Sequence, residues 1–187
     1  RTKRRTAHKQ RLEAKWKRLL LEVIAGKRSP SSVHPQISRS ESALFLPFLI
    51  RYASRVRGEA KERIRHLARP FLSGVVDDIN VNDPTRRAQA LQRLGLLGGR
   101  AYLPSLRRGL EDSSDFVAVT SLRWVTELGD ADEAVYVLDH LDRLSDLDRR
   151  QLASALVELG PDAAPHLRSA LRDPARSEFT QTICAES

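Results

Sequence analysis

Methionine is absent from the 187-residue sequence, even at its first position, and cysteine occurs once, at Cys184. The missing methionine leads to the expectation that the sequence is a processed or cut portion of a longer chain. A lone cysteine excludes an internal disulfide framework and fits a reducing compartment. Cys184 also has no His or Asp at the spacing a nucleophilic thiol motif requires. The five histidines (His8, His34, His66, His140, His166) are scattered, without metal-ligand spacing. His140 and His166 fall near one another in repeat register, but no nucleophile accompanies them as a catalytic pair requires. The longest apolar run, Ala43 to Ile50, holds eight residues with Pro47 among them, whereas a membrane-spanning helix takes roughly 20. The glycines at 95, 98 and 99 join two helical runs and follow no strand, so they form no phosphate-binding loop. No metal and no cofactor is expected. Aromatic residues amount to only 5%, and Leu, Ala and Arg dominate, a composition suited to stacked helices.

What is present is a repeat. Leu94-Gly95, Leu128-Gly129 and Leu159-Gly160 recur at steps of 34 and 31 residues, a period that marks stacked supersecondary units. In the first unit Asp83 is placed to cap a helix with Pro84 at its first position. Ala88, Leu91 and Leu94 follow at helical spacing. The Gly95 to Gly99 cluster is expected to break that helix, and Tyr102, Leu103, Leu106 and Leu110 line a second one. In the second unit Val119, Leu122, Val125 and Leu128 precede Gly129. Asp130 and Glu133 stand at capping-box spacing, and Ala134, Val137 and Leu141 follow. The third starts near Ser145 and Asp148, runs through Leu152, Ala155, Leu156 and Leu159, stops at Gly160 and restarts on Pro161. Its segment 164–171 aligns without gaps on 103–110. A partial fourth unit begins at Asp173, with Phe179 and Ile183 inward.

The pattern DP..R..A...LG.LG...A...L...L.D over Asp83 to Pro174 resembles the HEAT-like repeat, in the short form of bacterial proteins and of phycobilisome-lyase-type repeats. The second copy departs from it, lacking the Asp-Pro start and carrying Trp124 where a smaller residue is usual. The resemblance implies an all-α fold, an α-solenoid of helical hairpins in which neighbours bury one another's apolar flanks. It also implies a binding surface rather than a reaction chamber. The second helices line the inner curve of such arrays. Arg107, Arg108, Arg168 and Arg172 on them are therefore the expected contacts to an acidic protein segment or phosphate, through bidentate bonds. Trp124, Tyr102 and Tyr136 either anchor a partner or pack between helices.

Charge divides the chain. Up to Leu72 there are 19 Lys+Arg and 5 Asp+Glu; from Ser73 onward the counts are 13 and 19. Residues 1–26 read as a basic amphipathic helix with Leu12, Trp16, Leu19/Leu20 and Val23/Ile24 on one face and Gly26 as its stop. Lys9, Arg11, Lys15, Lys17 and Arg18 decorate the rest as candidate contacts to an anionic surface. The helix either lies on a membrane, enters a partner's groove, or caps the first end of the array. Its charge also fits the stem beside a membrane span. Residues 27–42, with two prolines and six serines, read as a linker, flexible or draped. Residues 43–82 read as a degenerate helical pair. Leu44, Phe48, Tyr52 and Val56 share a face, flanked by Phe45 and Leu49. Gly58 ends the first helix, and Pro70 interrupts the second. Residues 83–187 hold three full repeats and one partial.

These features lead to one expectation with two alternatives. The expectation is a non-catalytic scaffold for a protein partner, in the cytoplasm at the inner face of a membrane. The first alternative is a nucleic-acid-binding HEAT-like protein, although the repeats are acidic and no aromatic-rich basic groove is present. The second is an enzyme of the bilin-lyase type, which only the family resemblance suggests.

Overall fold

A computed structural model describes the backbone of residues 2–187 and the side chains of residues 6–38 and 40–187. All regular elements among the described residues are helical. The chain divides into two compact units: residues up to Asp77 together with Leu96–Gly98, and Asp78–Gly95 together with Gly99–Ser187.

The first unit contains α1 (Thr2–Ile24), α2 (Arg39–Ala53), α3 (Gly58–Ala68) and α4 (Ser73–Asp77). The apolar stripe of α1 is its core: Leu12, Trp16, Leu19, Leu20 and Val23 are all buried. Trp16 meets Phe45 edge-on at 5.2 Å and Phe48 at 5.6 Å, and Phe45 meets Phe71 edge-on at 5.4 Å. Such edge-to-face contacts add to the area each ring buries. The last carbonyls of a helix lack partners within it. Here the Arg63 guanidinium on α3 donates to the Ile24 carbonyl at 2.8 Å, and Gly26 leaves the helix at φ 72°.

Segment 27–42 is draped over its own unit. It forms short 3₁₀ turns at Pro30–Ser32 and His34–Gln36 and buries Val33 and Ile37. Helix α2 begins earlier than its apolar pattern suggests, because the Ser38 N–H donates to the Glu41 carboxylate at 2.8 Å, half of a capping box. Its buried face is Phe45, Phe48, Leu49 and Ala53, while Leu44 is 39% exposed. The expected Leu44–Val56 stripe is thus rotated toward Phe45 and Leu49, where the rings around Trp16 offer the larger apolar contact. Pro47 lies inside α2 on its exposed side. Gly58 does not end α2; it opens α3 at φ 58°. Pro70 sits in a 3₁₀ turn, Arg69–Phe71, that separates α3 from α4.

The second unit stacks helical pairs: α5 (Pro84–Arg93) with α6 (Leu103–Leu110), α7 (Asp115–Leu128) with α8 (Glu133–Leu138), and α9 (Arg149–Val157) with α10 (Ala164–Arg172), followed by α11 (Glu178–Glu186). Side-chain caps start three of them. Asp83 accepts from the Thr85 N–H, Asp148 from the Arg150 N–H and Ser177 from the Thr180 N–H. Helix α7 lies against both α5 and α6, and α11 against both α9 and α10. Each pair thus covers the next, which is how a repeat array builds its core.

The first Leu-Gly pair departs from expectation. After α5 the chain continues through a π-helical turn, Leu94–Gly98, and breaks only at Gly99, where φ is 64°. Gly95 therefore makes no bend. A Cβ there would lie 2.2 Å from the Trp124 ring. The glycine is a site of close approach, and Trp124, buried on α7, fills the space its missing side chain leaves. Gly129 and Gly160 do follow their helices, Gly160 at φ 85°.

Candidate protein-binding face

The second helices α6, α8 and α10 carry the residues that repeat register singles out. On α6, Leu106 and Leu110 turn inward and are buried. Arg107 points toward α8, where its guanidinium forks onto the Glu133 carboxylate, with Nε 2.7 Å from Oε2 and a second N–H on Oε1. Glu133 is 2% exposed. The hydrogen bond to Glu133 holds the Arg107 guanidinium even more firmly protonated than usual. Arg107 also lies over the Tyr136 ring, 5.7 Å from its centroid. The Tyr136 hydroxyl donates to the Glu111 carboxylate at 2.7 Å. Burial, then this bond, pushes its pKa up to about 12. His140 donates from Nδ1 to the Tyr136 carbonyl at 2.7 Å and packs against the Tyr136 ring at a tilt, with centroids 4.5 Å apart.

These contacts bear on the expected sites in three ways. Arg107 is paired within the fold, although its side chain stays 43% exposed. Glu133 does not close a capping box with Asp130; it reaches across to Arg107, and Asp130 pairs instead with Arg100. Tyr136 and Trp124 are packing residues, half-buried and buried respectively. Arginine also bridges the turns between repeats. Arg87 makes a bidentate pair with Asp112, both bonds 2.7 Å, and donates to the Val81 and Asn82 carbonyls. The Arg87 bond holds the Asp112 carboxyl below its usual range. Arg143 donates to the Leu110 and Asp112 carbonyls, and Arg176 pairs with Asp139.

Arg108, Arg168 and Arg172 remain exposed, and among the described residues no ion pair occupies them. Arg168 and Arg172 line a shallow open groove on α10 with Pro165, Ser169 and Asp173. Sequence alone does not single out Glu133 as the partner of Arg107, because Asp130 and Asp132 stand beside it at the head of α8. It gave no sign that Leu171 would be 40% exposed while its repeat equivalent Leu110 is buried.

In the first unit Arg11, Lys17 and Arg18 are exposed on α1. Lys9 sits 3.9 Å from Glu13, and Lys15 donates to the Gln36 carbonyl at 2.8 Å. The first residue of the expected basic stem lies outside the described residues. No helix among the described residues is long and apolar enough to cross a membrane. Among the same residues no group of three His, Cys, Asp or Glu could hold a metal ion. Cys184 is buried, and burial pushes its thiol pKa up, the opposite of what a thiolate nucleophile needs.

The all-helical architecture of paired helices is consistent with a HEAT-like repeat fold. In agreement, the family model described as PBS lyase HEAT-like repeat matches residues 148–173, which run from the cap of α9 to the end of α10. No curated protein and no solved structure matches the chain.

Proposed function

We propose that this protein is a non-catalytic scaffold that holds a protein partner along its second helices, at an anionic membrane surface. The observation that carries the reading is the contrast along that face. Arg107 is neutralised within the fold, while Arg168 and Arg172 stand exposed in a groove. Planar guanidinium groups free of internal partners suit the carboxylates of a partner. The exposed Arg11, Lys17 and Arg18 of α1, beside the half-exposed Leu21, support attraction to anionic lipid, at about 1 kcal/mol per basic residue near the surface.

Site-specific photocrosslinking tests the scaffold reading. A crosslinking residue at Arg108 or Arg168 is expected to trap a protein that one at Phe116 or Val157 does not. Equal trapping at all four positions, or trapping at none, overturns it. Flotation with anionic and with zwitterionic vesicles tests the membrane part. Flotation with neither removes it.

A further inference from the structure

The apolar stripe that would carry α1 into a bilayer is already buried in the first unit. Leu12, Trp16, Leu19 and Val23 lie in its core, with Trp16 packed against Phe45 and Phe48. Arg51 of α2 pairs with Glu13, and Arg63 of α3 donates to the Ile24 carbonyl, so α1 is fastened at its middle and at its end. The opposite side of α1 presents Arg11, Ala14, Arg18 and Leu21, again at steps of three and four residues, with Lys17 one turn before Leu21. All of these are exposed, Leu21 by 52%. The charge on this side is uncompensated. The carboxylates up to Leu72 are engaged within the unit: Glu13 and Glu22 by Arg51 and Arg28, Glu59 and Glu62 by Arg63 and Arg65, and Glu41 by the Ser38 N–H. Arg11, Lys17 and Arg18 have no ion pair among the described residues.

We infer that the first unit meets an anionic lipid surface with this outer side of α1, while the helix stays folded in its unit and its Trp16 stripe stays out of the hydrocarbon. An interfacial helix ordinarily binds by burying its apolar face in the lipid. Here that would first empty the core of the unit. Binding therefore falls to Arg11, Lys17 and Arg18 at the headgroups, with Leu21 between Lys17 and Arg18 reaching the acyl boundary. The same cations oppose a second copy of α1 on this side, since Arg11 and Arg18 would face their own kind. An acidic protein would satisfy the charge but would find only alanine and one leucine to pack on, whereas interfaces between proteins are anchored by large side chains in pockets. A fluid headgroup layer needs no such fit. The contact rests on the membrane part of the proposed function and narrows it to one side of one helix.

The test floats the intact protein with vesicles of phosphatidylserine and phosphatidylcholine whose acyl chains are brominated at a shallow position. Trp124→Phe leaves Trp16 as the single tryptophan. Flotation is expected at low salt. It should be lost at about 1 M salt, where the Debye length is about 3 Å, and lost in Arg11→Glu with Arg18→Glu. Trp16 emission should keep its intensity on binding, because Trp16 lies across a helix about 10 Å wide from the lipid. Adding Leu21→Trp should give a protein that the bromines do quench. Thermal melts of these surface variants should superimpose, which keeps the comparison free of misfolding. Quenching of Trp16 means that α1 leaves its unit and inserts its stripe; the membrane reading then stands and this inference falls. An unquenched Leu21→Trp protein, or a charge variant that still floats, places the lipid elsewhere and has the same consequence. Flotation of no form removes the membrane reading itself. Binding of poly-glutamate through Arg11 and Arg18 without flotation makes the surface a protein site and overturns the inference.

Discussion

The two units keep their helices together by different means. In the first, rings do most of it: Trp16, Phe45, Phe48 and Phe71 form one cluster across α1, α2 and the turn after α3, and arginine adds links such as Arg63 to the Ile24 carbonyl and Arg51 to Glu13. In the second, arginines do it. Arg87, Arg107, Arg143 and Arg176 each reach from one element to a carboxylate or carbonyl of another. All six lysines fall within the first 61 residues, and the second unit has arginine as its only strongly basic residue. The difference follows from chemistry. A repeat array buries many short apolar flanks and leaves carbonyls and acids at every turn. A rigid five-donor fork meets these better than a flexible ammonium.

That contrast can be broken most forcefully at Trp16. Trp16→Ala should cost about 3–5 kcal/mol by opening a cavity among the rings, read as a lower urea midpoint for the transition of the first unit. Trp16→Phe should be much milder, because the buried Trp16 indole N–H has no hydrogen-bond partner among the described residues to lose.

The arginine side is tested next. Arg107→Ala leaves the Glu133 carboxylate buried and unpaired, at a cost of about 3 kcal/mol. Pairing Arg107→Met with Glu133→Leu should recover most of this in the same denaturation measurement. Recovery shows that the arginine stabilises chiefly by neutralising a buried acid.

A third variant bears on how closely the second unit packs. Gly95→Ala should cost about 1–3 kcal/mol by overpacking against the Trp124 ring. Combining it with Trp124→Leu should relieve much of that loss, a coupling that a turn glycine would not produce.

Acid provides a smaller and pH-dependent test. Asp112 has a lowered carboxyl pKa in the folded protein. Its pair with Arg87 therefore stabilises fully above the ordinary value of 3.8, and that stabilisation is lost as pH falls through the lower folded value. Asp112→Asn should be less stable than the unaltered protein at pH 7, with the gap closing in melts taken below pH 3.8. A gap that stays constant with pH would detach this carboxylate from the arginine clamps.

The smallest effect belongs to the surface of α1. Arg11→Glu with Arg18→Glu should shift stability by no more than about 0.5 kcal/mol while abolishing flotation with anionic vesicles.

Much of the fold was legible because periodicity reports on burial. The stripe from Leu12 to Val23, the paired helices of 83–172 and the caps at Asp83 and Asp148 all follow from residue type and spacing. The rotation of α2 was not legible. Leu44 and Phe45 are equally apolar in a linear pattern, and only the position of Trp16 on another helix selects between them. Gly95 was misread for a related reason. A glycine after a helical run has two uses, a bend or a close approach, and the one taken depends on a ring 29 residues further along the chain. The candidate site was half legible: Arg107, Arg108, Arg168 and Arg172 could be named, but not which of them is spent within the fold.

The sequence alone determined the helical class, the repeat period, the unequal division of charge and the caps at Asp83 and Asp148. These depend on residues within a turn or two of one another, where backbone geometry and local hydrogen bonds set the outcome. The tertiary structure alone decided that Glu133 neutralises Arg107, that Trp124 lies on Gly95, and that Leu171 is open where Leu110 is closed. Each of these depends on which helix stands opposite, and burial and charge pairing are properties of two surfaces together.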